Sequence, residues 1–263
     1  MTSSTVSARR PARAAVAKVP LSRHVRVELR KLTDTRAGMW LLIAIALLTV
    51  AAVTLFLVFG PRRELTYNNF VGITLTPQGF LLPVLGILAV TSEWSQRTGL
   101  VTFTLEPVRS RIVVSKLIAV TILALTAVAL LLLVAALGNV LGASWQDGDG
   151  SWSFGVEGLR DVTLLQLMGI IQGVAFGMIL LNSAAAIVLA FVIPIGFSIV
   201  FTLVSSLRDI APWIDLATAQ TPLFDHTMRG DDWLKLAVAS LLWIAVPLVA
   251  GIVRVLRSEV KSA

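Results

Sequence analysis

The chain has 263 residues, of which 56% are hydrophobic and only 14% charged, and its mean hydropathy is +0.86. That leaves too little polar surface to cover a soluble globule, so the composition defines an integral membrane protein. The net charge of +7 is unevenly placed and is read as topology before nucleic-acid affinity, and the absence of cysteine excludes disulfides, thiolate metal sites and cysteine nucleophiles.

Residues 1–20, MTSSTVSARRPARAAVAKVP, are polar, basic and poor in aromatics, which predicts a disordered tail. It does not read as a signal peptide, because the first apolar run begins near residue 39 and is too long for a signal core. Next, Leu21, Val25, Leu29 and Leu32 recur at helical spacing while Arg23, Arg26, Arg30 and Lys31 point largely elsewhere. This predicts a basic amphipathic helix lying in the inner leaflet, with Val25, Leu29 and Leu32 toward the apolar side and Arg26 and Arg30 toward lipid headgroups. The plainer alternative is a charged helical flank with no specific docking.

Charged side chains are costly at the centre of a bilayer, so uncharged runs bracket the membrane spans. Residues 37–61 predict a span over 39–59, and 65–92 one over 77–92, with an earlier start through Phe70 to Pro77 also open. Residues 117–146 predict a span over 117–141. The run 162–207 would be about 69 Å long as one helix, against a hydrocarbon core of about 30 Å, so it must turn. Leu181-Asn182-Ser183 supplies the polar groups for a tight turn, giving spans over 162–180 and 184–204. A sixth span falls at 234–253.

Six spans put both termini on one side. The face holding the N-terminal 38 residues, 93–116 and the C-terminal tail carries 16 Lys and Arg against five acids; the other loops carry six against ten. The positive-inside rule therefore places the termini and 93–116 in the cytoplasm. The expected fold is all-α, a six-helix membrane domain over 21–263 with an additional N-terminal interfacial helix.

Catalytic signals are weak. His24 and His226 are the only histidines, neither forms a helical pair that would hold a metal, and a Ser/His/Asp reading of His226 beside Asp225 needs a geometry that spacing does not establish. The acid pairs Asp231-Asp232 and Asp147/Asp149 read as solvated loops. No ionisable residue is expected inside the spans, which argues against an ion-coupled carrier. No Gly-Lys pair occurs, so the chain has no phosphate-binding loop, no cofactor site is expected on it, and it is not expected to be an enzyme. Gly169, Gly173 and Gly177 repeat every four residues along the fourth span, with Gln166 and Gln172 beside them. This pattern reads either as close helix packing with bonded amides or as part of a substrate pathway. Trp145, Trp152, Phe154, Trp213, Phe224 and Trp233 fit an interfacial aromatic belt, and 206–233 could also form short re-entrant or interfacial helices.

The most distinctive stretch is the charged segment between the second and third spans. A basic amphipathic helix leading into the first span (His24 to Trp40), then Glu93, Arg97, Thr98 and Gly99 after the second span, a β-branched stretch ending at Glu106, then Pro107-Val108-Arg109-Ser110-Arg111 and Lys116, resemble the permease subunits of type 2 ATP-binding-cassette transporters. The resemblance implies that Glu93, Arg97, Thr98, Gly99, Glu106, Pro107, Arg109, Arg111 and Lys116 form a coupling element docking on a separate ATPase. It implies a short helix here, capped by Thr91 or Ser92 with Glu93 in its first turn. Arg109, Arg111 and Lys116 would meet acids of the ATPase or lipid phosphates. It further implies two ATPase subunits carrying ATP and Mg, a second permease copy as homodimer or heterodimer, contact with membrane lipids and no nucleic acid. The function so implied is ATP-driven transport, with export the expected direction; the alternatives are a non-transporting membrane adaptor or sensor, or an intramembrane enzyme.

Overall fold

The computed structural model describes residues 19–95 and 108–258, and every element among them is helical. Six helices are long and apolar enough to cross a membrane: α2 (Arg36–Phe59), α3 (Tyr67–Ser95), α4 (Arg109–Trp145), α5 (Gly155–Leu180), α6 (Ser183–Leu203) and α9 (Asp232–Arg257). They are preceded by α1 (Leu21–Asp34), and two short helices, α7 (Ala211–Ile214) and α8 (Leu216–Phe224), lie between α6 and α9. All six expected spans are present. Most are longer than the uncharged runs suggested, because charged residues at their ends are paired or face outward. The second takes the earlier start that the sequence left open: it begins at Tyr67, shortly before Phe70, and continues through Pro77 and Pro83.

The 162–207 run turns at the expected tripeptide. Leu181 adopts the left-handed conformation at φ 52°, its N–H donating to the Gly177 carbonyl, and the Asn182 side chain accepts from the Ala185 N–H at 3.0 Å. An αL residue closes one helix and a polar cap opens the next, so neither end leaves all its backbone groups orphaned. α9 contains a π-turn over Leu241–Ala245 just before Pro247. Pro247 cannot donate to the carbonyl four residues earlier and its ring crowds that carbonyl, which accounts for the local widening.

α3 and α5 form the centre of the bundle; just over half of each is buried, against less than a third of the other four spans. They cross at backbone contact. A Cβ on Gly173 would lie 2.0 Å from the Pro83 carbonyl oxygen, and one on Gly86 would lie 2.3 Å from that of Ile170. The core divides into two clusters along this axis. One, near α1, includes Leu32, Leu82, Val113, Ile170, Met178 and Val255; the other, at the far end, includes Leu65, Phe70, Leu131, Leu165 and Leu223. The outward faces of α2, α4 and α6, with Leu47, Leu55, Leu133, Val192 and Ile199 exposed, present the apolar surface that lipid would cover.

The segment after α6 forms short helices, as one of its two sequence readings allowed. Asp215, almost fully buried, caps α8 by accepting from the Thr218 N–H at 3.0 Å and also accepts from the Ser198 hydroxyl at 3.0 Å. This pins α8 to α6. Trp213 lies in α7, half-buried, while Trp145, Trp152 and Trp233 are exposed near the far end.

Candidate functional site

The candidate coupling segment enters and leaves through a closed ring of four charges. Lys31 Nζ on α1 lies 2.8 Å from Glu28 Oε1 and 2.6 Å from Glu93 Oε1, and Lys116 Nζ on α4 lies 2.6 Å from Glu28 Oε2 and 3.1 Å from Glu93 Oε1. Each lysine meets both carboxylates and each carboxylate both lysines, so the group is neutral. Lys116 also donates to the Ala89 carbonyl at 2.9 Å. Glu28, Glu93 and Lys116 are about 5% exposed, and Lys31 closes the ring from the rim. Burial alone would push the Lys31 ammonium down, but Glu28 and then Glu93 together hold it above the usual lysine range.

This geometry corrects several expectations. Thr91, Ser92 and Glu93 do not start a short helix; they belong to the last turns of α3. The Thr91 hydroxyl donates to the Ile87 carbonyl at 2.9 Å and lies 2.7 Å from the Ser183 hydroxyl, tying α3 to the start of α6. Glu93 and Lys116 are turned into the protein, so their charges serve α1 rather than an external acid or a lipid phosphate. Glu93 and Lys116 lie one residue outside the expected spans 77–92 and 117–141, yet within the same continuous helices, where their burial is compensated by pairing. α1 does carry an exposed basic face of Arg23, Arg26 and Arg30, but its other face packs on the bundle: Leu32 is buried and Val25 and Leu29 are half-buried. Glu28 lies on that same face. Its spacing with Val25, Leu29 and Leu32 was the signal that an acid belongs to the packed side.

Arg109 and Arg111 make contacts within the chain. Arg109 donates to the carbonyls of Val255, Leu256 and Ser258 at 3.3, 3.4 and 2.5 Å, satisfying acceptors at the C-terminal end of α9. Arg111 donates to the Val19 carbonyl. Arg97, Thr98, Gly99, Glu106 and Pro107 lie outside the described residues.

The Gly/Gln pattern of α5 divides between its two readings. Gly173 and Gly177 serve close packing on α3, and Gln166 is buried with its amide donating to Gln78 Oε1 at 2.7 Å. Gln172, half-buried, and Gly169 line a cavity of about 350 Å³ enclosed by α3, α5, α6 and α8. Its wall is mainly apolar, with Phe80 and Phe191 stacked at 6.3 Å between centroids. Gln78 was the partner that sequence reading missed, since a lone amide carries no spacing signal.

At the far end His226 does not act with its neighbour Asp225. Its Nδ1 lies 3.1 Å from Oδ2 of fully buried Asp161, whose Oδ1 accepts from Arg160 Nε at 2.8 Å, and Arg160 lies over the Trp233 ring at 4.7 Å. Among the described residues no hydroxyl is bonded to His226, so the arrangement lacks the nucleophile of a triad. No group of three or more metal-ligating side chains is found among the described residues.

The helices and their apolar surfaces define a multi-pass α-helical membrane protein. No protein-family model matches the chain, and comparison with curated proteins and with solved structures finds no significant similarity to either.

Proposed function

We propose that this chain is the permease subunit of an ATP-driven transporter of the ATP-binding-cassette type, acting as an exporter in the plasma membrane. It works as a dimer, with itself or a related permease, and with two separate ATPase subunits that bind ATP and Mg. Both termini and the α1 end face the cytoplasm in this reading.

The observation that supports it best is the charge ring. It fastens α1 to the last turn of α3 and the start of α4, the two helices that flank 96–107. A push on that segment from a soluble motor would therefore act on three helices as one body, and α3 is half of the central packed pair. Buried ion pairs fix geometry strongly once made, because breaking one leaves a charge without a partner. The cavity between α3, α5, α6 and α8 gives such a movement something to open and close.

Co-purification with a candidate ATPase tests the reading. Arg109 and Arg111 are poor probes because they hold α9 and residue 19; replacement of 96–107 by a neutral linker leaves those contacts and the ring in place. Loss of the ATPase on that replacement is expected. An ATPase that never associates, or associates equally well with the linker variant, overturns the proposal.

A further inference from the structure

The cavity described above does not end at its apolar chamber. Leu75, Thr76 and Phe224 line it and also line a second space of about 520 Å³ at the far end, so the two adjoin across these three side chains. Phe224 is half-exposed, and rotation of its ring would widen the passage. The second space differs in chemistry: Glu64, Asn68, Asn69, Thr76 and His226 contribute to its wall.

The donors on this wall are mostly already used. Asn69 Nδ2 donates to the Glu64 backbone carbonyl at 2.8 Å, leaving its Oδ1 free to accept. The Thr76 hydroxyl donates to the Gly72 carbonyl at 3.1 Å, leaving its lone pairs. The Asp161 carboxylate can only accept, so the hydrogen of that bond sits on His226 Nδ1 and is not offered to a ligand. The Glu64 carboxylate has no ion pair among the described residues. Asn68 and the second amide hydrogen of Asn69 are the spare donors, against the Glu64 carboxylate, Asn69 Oδ1 and the Thr76 hydroxyl as acceptors. The wall therefore asks for a ligand rich in N–H and carrying positive charge, while the adjoining chamber, with its stacked Phe80 and Phe191, asks for an apolar body.

We infer that the two spaces form one site for an amphipathic amine, its ammonium among Glu64, Asn69 and Thr76 and its apolar body between α3, α5 and α6. This rests on the transporter reading for its purpose, since such a ligand would be the cargo, but binding requires only this chain.

Photolabelling of the full chain in phosphatidylcholine nanodiscs, without any ATPase, tests it. Three probes share a twelve-carbon chain bearing a mid-chain diazirine and end in an amine, a hydroxyl or a carboxylate. The amine is expected to label peptides of α3 and α6 at the chamber, saturably and in competition with unlabelled dodecylamine, well above the other two. Glu64→Gln is expected to lower labelling by the amine about tenfold, the loss of one charge-assisted contact, while leaving the hydroxyl probe unchanged. Glu64 is exposed and only its backbone groups are used in the fold, so the variant should elute as the parent does. Gly79→Leu, which adds a side chain where a Cβ meets nothing within 4 Å, is expected to reduce labelling by all three. Equal labelling by the three probes, or an unchanged response in Glu64→Gln, overturns the inference. Failure to recruit an ATPase would leave these results untouched and would overturn only the transporter reading.

Discussion

Lys116 Nζ lies 2.6 Å from Glu28 Oε2, joining two residues 88 positions apart and both more than nine-tenths buried. Neither charge would be tolerable there alone. Removal of Lys116 leaves Glu28 and Glu93 sharing Lys31, with one uncompensated negative charge. Lys116→Met is therefore expected to destabilise the protein by about 3–5 kcal/mol, and Lys116→Met combined with Glu93→Gln by clearly less, because the pair is then removed together. Thermal unfolding in detergent, followed by size-exclusion chromatography, measures both. A double variant no more stable than Lys116→Met would show that the charges are not coupled.

Lys31 gives the same ring a pH signature. Its folded pKa is raised, so its contribution is fully present below the ordinary lysine value of 10.5 and is lost only as pH rises through the higher folded value. The difference in melting temperature between the parent and Lys31→Gln is expected to stay constant between about pH 6 and pH 9 and to shrink in strong alkali. A difference that already shrinks below pH 9 would contradict the ion pairing.

The contrast between the ring and the turn after α5 shows which features the sequence made legible. The turn was readable because 46 uncharged residues cannot form one span and Asn182 is a good cap. Six spans followed from the same logic. The ring was not, because counting charges assigns Glu28, Lys31, Glu93 and Lys116 to one side of the membrane without saying that they meet. Charge at a helix end looks the same in sequence whether it faces water or a partner. Gln166 was ambiguous for a similar reason: period 3.6 places it on a face, but only the crossing of α3 over α5 brings Gln78 opposite.

That crossing separates the glycines of the two helices. Gly173→Ala drives a methyl group into the Pro83 carbonyl at 2.0 Å, so α3 and α5 must move apart. A loss of about 1–3 kcal/mol is expected, as for other overpacked sites. Gly79→Ala meets nothing within 4 Å and gains helix propensity, so its stability should equal or slightly exceed that of the parent. Denaturation curves of the two variants side by side check this, and equal destabilisation would mean that the close crossing is absent.

Orientation can be read directly because the chain has no cysteine to compete with an introduced one. Ser22 lies exposed on α1 and Thr227 lies exposed between α8 and α9, at opposite ends of the bundle. The α1 side carries 16 Lys and Arg and the other only six, which favours retention of the α1 side in the cytoplasm. Arg62, one of the two least comfortable charges on the far side, lies 3.6 Å from Asp147. A membrane-impermeant maleimide is therefore expected to label Thr227→Cys on intact cells, and Ser22→Cys only after permeabilisation. The reverse pattern would put 96–107 outside the cell, beyond the reach of a cytoplasmic ATPase, and the transporter reading would fall with it.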